Sequence, residues 1–98
     1  MYGLIARLTI ASGKREEIIE VLAASTRDMP GCAAYVIAID ASDPDVLWIT
    51  EVWDSQASHD GSLSLRAVQA ALPQIQPHIV HFEKVAVTEP VAGVPVSS

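Results

Sequence analysis

Cysteine is nearly missing from this 98-residue chain: Cys32 stands alone. That excludes a disulfide within the chain and any thiolate metal cluster built by one copy of it. Basic residues are scarce as well, with six Lys and Arg against twelve Asp and Glu, a formal net charge of −6 at pH 7, and no cluster of cations to meet phosphates. Nucleic acid and anionic membrane are therefore not expected partners. No apolar run approaches the ~20 residues of a membrane span, and Met1 leads straight into strand-like sequence with no basic region before an apolar one. The expected location is the cytoplasm. Internal repeats and low-complexity runs are absent too.

What is present is apolar. Half of the residues are hydrophobic and the mean hydropathy is +0.31. A single domain of this size buries only roughly 60–65% of its unfolded surface, so a composition this apolar predicts packing against another subunit. The densest stretch is Asp45 to Ser55, in which Val46, Leu47, Trp48, Ile49, Thr50, Val52 and Trp53 suit a strand buried on both faces. Alternation puts Leu47, Ile49, Glu51 and Trp53 on one side, so a carboxylate and an indole share a face with two aliphatics. A pocket is expected there first. The plainer alternative is that both tryptophans fill the core and Glu51 is hydrogen-bonded locally.

The other elements fall in around this strand. Tyr2 to Ile10 alternates as a first strand, with Arg7 in its middle expected to be solvated or paired with an acid on a neighbouring strand. Ser12 or Gly13 caps a predicted helix from about Lys14 to Arg27, whose buried face is Ile18, Ile19, Leu22, Ala23, Thr26 and Met29. Met29-Pro30-Gly31 ends it, and Cys32 to about Asp40 is a second strand in which Cys32 is a small buried filler. The Ala41 to Asp45 turn joins that strand to the organising one as an antiparallel hairpin. Asp54 or Ser55 caps a short helix through His59 that Gly61 or Ser62 interrupts. A second helical piece carries Leu65, Val68, Gln69 and Leu72, and is expected to break at Pro73 and again at Pro77. Ile79 to Thr88 is a last strand. The expected organisation is one domain over residues 1–89 and a C-terminal tail over 90–98.

The order β-α-β-β-α-β specifies an α+β, ferredoxin-like fold with an antiparallel sheet and helices on one face only. The other face then requires cover, and a second copy of the same sheet is the simplest cover, giving a dimeric α/β barrel.

Several residues together resemble the antibiotic biosynthesis monooxygenase family over about residues 3 to 85. They are Pro30-Gly31-Cys32 opening a strand, Tyr35 within it, the Asp43-Pro44-Asp45 turn, Glu51-Val52-Trp53-Asp54 closing the hairpin, and a His- and Ser-bearing helical segment ending at Pro77-His78-Ile79. The resemblance implies a homodimer whose C-terminal strand and tail reach the partner. It also implies oxygenation of a small aromatic, quinol-like substrate by molecular oxygen with no cofactor, since an electron-rich phenolate can itself reduce oxygen. The chain departs from the family where many members carry histidines, at Ser62 and Ala67, and His59 stands about one helical turn before the first of these. The haem-degrading branch uses an Asn and a Trp where this chain has Ala6 and Ser62, so haem cleavage is not expected.

Such an oxygenase needs a base near neutrality, an apolar wall for a flat ring and a donor for the developing oxyanion. Only His59, His78 and His81 have a suitable ordinary pKa. His59 is the catalytic candidate. Trp53, Tyr35, Ser62 and His78 are the substrate-binding candidates, with the aromatics either walls of the pocket or plain core. No metal site is expected, because His78 and His81 lie an odd number of residues apart and would face opposite ways on a strand. The competing function is a non-catalytic dimeric barrel that binds or senses a small apolar metabolite, with the same pocket but no base in reach.

Overall fold

A computed structural model of the chain describes residues 1–95. Its elements run β1 (Tyr2–Ile10), α1 (Arg15–Ser25), β2 (Cys32–Ile39), β3 (Val46–Trp53), α2 (Gln56–Ser62), α3 (Arg66–Ile75), a single 3₁₀ turn (Gln76–His78) and β4 (Ile79–Thr88). The four strands form one antiparallel sheet in the order β2-β3-β1-β4, which is the ferredoxin-like arrangement with its second helix split in two. None of the described helices is long and apolar enough to cross a membrane.

The two-residue alternation decides what the sheet offers to the helices. Tyr2, Leu4, Ala6, Leu8 and Ile10 of β1 are all buried, as are Leu47, Ile49, Glu51 and Trp53 of β3. Against this face α1 lays Ile18 and Leu22, and α3 lays Ala71 and Ile75, closing the main core. A second, smaller core joins Tyr2, Leu4, Met29 and Trp53 at the end of the sheet where α2 begins. Each fully buried aliphatic side chain contributes about 1.5–3 kcal/mol, so the two clusters fix the register that carries Glu51 inward.

Four local expectations need correction. Pro73 does not break the second helical piece: α3 continues through it to Ile75. The proline removes one amide donor, but Ala71 and Ile75 on either side of it are anchored in the core, and that burial holds the helix together across the missing bond. Neither Ser12 nor Gly13 caps α1; Lys14 occupies the cap position without a side-chain hydrogen bond, and Gly13 instead takes a positive φ of 82° in the preceding turn. Ala23 is exposed, while Val21 and Ile19 pack partly against the core. Cys32 is only half-buried.

The opposite face of the sheet is uncovered within one chain. Arg7 there pairs with Glu83 across β1 and β4 at 3.7 Å and lies 6.0 Å from the centre of the Trp48 ring. The Trp48 indole donates to Asp40 at 2.8 Å. That bond, with backbone N–H groups of Asp43 and Ser42, lowers the Asp40 carboxyl to about 2. The tail expected over 90–98 is irregular through residue 95, and its last three residues lie outside the described residues.

Candidate functional site

Between the sheet and the helices lies a cavity of about 630 Å³, within the size range of small-molecule pockets. Leu4, Ala6, Leu8 and Ile49 line it from β1 and β3, Tyr35 from β2, Leu22, Thr26 and Met29 from α1 and the segment after it, and Val68, Ala71, Leu72 and Ile75 from α3. Its titratable groups are Tyr35, Glu51, His59 and Lys84. A more open groove of about 360 Å³ runs between α1 and α3, but half of its lining residues are alanines and Glu20 is its one ionisable group.

The polar corner of the cavity is built by the turn after β3. Ser55 sits at the N-cap of α2 in an extended conformation, and its hydroxyl accepts from the Ser58 amide at 3.1 Å. Starting the helix at that point places His59 one turn in. Gly31 makes the close approach possible: its φ is 82°, and a Cβ built there would meet the Ser58 hydroxyl at 2.5 Å and the Asp54 carboxylate at 2.8 Å. Only glycine suits both the backbone angle and the space. Ser62, buried, donates its hydroxyl proton to the His59 carbonyl at 2.6 Å, tightening the same turn from its other end.

His59 then lies among aromatic and acidic neighbours. Its ring is 5.2 Å from that of Tyr2 and 5.7 Å, edge-on, from that of Trp53. Nδ1 is 3.1 Å from Asp60 Oδ1, and Nε2 is 3.9 Å from Glu51 Oε1. An ionised carboxylate only accepts, so the Asp60 contact selects the tautomer with the proton on Nδ1 and leaves Nε2 as the basic nitrogen. Glu51 both lines the cavity and is hydrogen-bonded locally, as the two readings of its strand proposed; its approach to His59 is what the sequence did not show. Glu51 is 8% exposed, and the Trp53 indole donates to its Oε1 at 2.9 Å. Burial pushes the Glu51 carboxyl above its ordinary pKa, against the pull of the Trp53 bond and the nearby His59. Tyr35, paired with Glu51 across β2 and β3, is also pushed upward, first by burial and then by the Glu51 charge, so it stays a neutral phenol. The Cys32 thiol is raised for the same two reasons.

The sequence candidates divide accordingly. Tyr35, His59 and Ser62 share the cavity wall. Trp53 is fully buried behind it, where it holds Glu51 and abuts His59 without lining the cavity. His78 sits in the 3₁₀ turn, half-buried, with its carbonyl accepting from the Ala11 amide, and is not among the lining residues. His81 is exposed on β4 opposite Thr9. Among the described residues no three His, Cys, Asp or Glu side chains converge as a metal site would require. Phe82 and Lys84 line the cavity from β4 and carry no sequence signal, because bulges near Val80 and Val85 shift the parity of that strand.

The family model for antibiotic biosynthesis monooxygenase matches residues 1–74. No curated protein matches the chain. Among solved structures, a Chloroflexus aurantiacus protein bearing the antibiotic biosynthesis monooxygenase name is 46% identical, with 94% of each chain covered and a TM-score of 0.90. A protein of the same name from Nitrosomonas europaea is 14% identical over 92% of this chain and 89% of its own, with a TM-score of 0.84. Another, from Caulobacter crescentus, is 18% identical over 93% and 90%, with a TM-score of 0.79. The last two, at such low identity, show the shared fold alone.

Proposed function

The chain belongs to the antibiotic biosynthesis monooxygenase family, and from that premise we propose that it is a cofactor-independent monooxygenase that oxidises a small aromatic or quinol-like substrate with molecular oxygen. The observation that carries this reading is the His59 imidazole at the cavity wall, with its Nδ1 proton held by Asp60 and Nε2 left basic. A barrel that only binds or senses a metabolite has no need of a base so placed.

In the proposed reaction His59 Nε2 takes the proton of a phenolic hydroxyl. The imidazolium that forms lies between the Asp60 and Glu51 carboxyl groups, which stabilise its charge. The phenolate passes one electron to oxygen, and the radical pair recombines at the ring C–H carbon para to the phenolate oxygen, which is a methylene in the keto tautomer of the substrate, to give a carbon peroxide and a ring ketone. Loss of water from the peroxide leaves a carbonyl. The methylene and one oxygen molecule thus become a carbonyl and one water, with no other reductant consumed. Tyr35, as a neutral phenol on the same wall, supplies a hydrogen-bond donor for the developing oxyanion, and Ser62 shapes the wall beside it. Trp53 serves the site from behind.

The same reading includes a cytoplasmic homodimer joined through the uncovered face of the sheet, where Ile5, Val36, Trp48 and Val52 are only partly buried or exposed. Such an interface divides a core in two and should bury more than ~1,600 Å². Oxygen uptake over a panel of quinols and phenols with an activated methylene tests the activity, with an anaerobic arm as the blank. Oxygen-dependent turnover of at least one of them supports the enzyme; binding throughout the panel without turnover moves the metabolite-binding barrel ahead. A monomer by ultracentrifugation at micromolar concentration removes the dimer.

A further inference from the structure

We propose that Lys84 is a specificity residue that recognises an anionic group, such as a carboxylate, on the end of the aromatic substrate opposite the hydroxyl that reacts; this rests on reading the cavity as the substrate pocket. Three observations meet at β4. Lys84 lines the cavity, yet among the described residues no carboxylate lies in ion-pair range of it, in a chain with twice as many acids as bases. Phe82, on the same strand and also lining the cavity, leaves 52% of a large apolar ring exposed, an arrangement the core does not require. The strand is irregular where it matters: Ala6 pairs with Lys84 but Ile5 pairs with Ala86, so Val85 is an extra residue in the ladder. Bulges of this kind re-aim side chains beside binding sites.

Register then separates the charges. Glu51 lies opposite Leu4 on one side of β1, and Lys84 lies opposite Ala6 on the other. Two strand spacings and a two-residue offset put their backbone positions ~12 Å apart on one face of the sheet. The cavity is therefore acidic and basic at opposite ends, with apolar walls between. A flat ring whose hydroxyl approaches His59 directs its far end toward Phe82 and Lys84. An anion at that far end gains a charge-assisted contact, whereas an anion beside the hydroxyl meets Glu51 and is repelled.

The test is anaerobic calorimetry with 6-hydroxy-2-naphthoate, its methyl ester, and 3-hydroxy-2-naphthoate, in which the two groups are adjacent. The wild type is expected to bind the 6-hydroxy acid about 10- to 150-fold more tightly than the ester, the range of one charge-assisted bond. That preference should be lost in Lys84→Gln, retained in Lys84→Arg, reduced at high salt, and absent for the 3-hydroxy isomer. Equal affinity for acid and ester in the wild type, a preference that survives Lys84→Gln, or no heat with the 6-hydroxy acid at millimolar concentration overturns the proposal. Because binding is read without oxygen, failure of the oxygenase reading alone leaves these outcomes unchanged.

Discussion

Replacing Trp53 by Phe isolates the bond on which the polar corner depends. The substitution keeps an aromatic ring in the buried slot but deletes the Nε1–H that Glu51 Oε1 accepts at 2.9 Å. Two costs follow. Lost packing is a fraction of the ~3–5 kcal/mol that full truncation of a buried Trp costs, and it does not depend on pH. The second cost does depend on it. Burial already raises the Glu51 carboxyl above its ordinary value of about 4.3, and the Trp53 bond is the stronger of the two influences that hold it down. Without that bond the folded-state pKa rises further, while the unfolded chain is unchanged, so the folded variant keeps its proton to a higher pH than the wild type. The extra destabilisation is thus absent below the wild-type folded pKa and grows as pH rises from that value to the variant's. A hydrogen bond to a charged group sets its size at about 1.5–3 kcal/mol. Urea unfolding of both proteins at pH 4 and pH 8 measures it: Trp53→Phe should cost more at pH 8 by that amount, and the difference should vanish in a Glu51→Gln background. An equal cost at the two pH values would refute the claim that the indole stabilises a charged Glu51.

Other expectations concern the turn that delivers His59 and the donor set around it. Gly31→Ala forces a Cβ onto Ser58 and Asp54 at a positive φ, and should lower stability by ~2 kcal/mol or more by thermal unfolding, with weaker ligand binding because α2 must move. Ser55→Ala removes the cap of α2 and should cost ~1 kcal/mol by the same measurement; an unchanged midpoint would mean that the Ser58 amide finds another acceptor. Turnover should survive dialysis against a chelator and added reductant, since the described residues form no metal cluster and burial and Glu51 keep the Cys32 thiol protonated. Loss of turnover on chelation would point to a metal held in some other way.

Much of this arrangement is legible in the chain itself, and the exceptions have physical causes. The β-branched and aromatic run from Val46 to Trp53 reads as an inner strand, and alternation puts Glu51 and Trp53 together on one face, but which face the helices cover is decided by the packing of α1 and α3. Ser55, as one of two cap candidates, and Gly31, as part of a helix stop, were readable because caps and stops are local chemistry. Pro73 was misleading because a helix anchored at Ala71 and Ile75 tolerates one missing amide bond. The contact between His59 and Glu51 was out of reach because it depends on how α2 leaves the sheet, a matter of tertiary packing. Phe82 and Lys84 were hidden for a different reason: two bulges in β4 put Ile79 and Phe82, three residues apart, on one face, which strict alternation forbids.

Labelled oxygen shows whether the chain inserts an atom of molecular oxygen into its substrate. Turnover of a quinol-type substrate under ¹⁸O₂, followed by mass spectrometry of the product for the wild type and for His59→Gln, should place one ¹⁸O atom in the product. The variant should lose ~10²–10⁴-fold in rate, the range that removal of a general base produces, with ligand affinity nearly unchanged. Product that carries no label would rule out the oxygenase, and a His59→Gln variant that turns over at the wild-type rate would rule out His59 as its base.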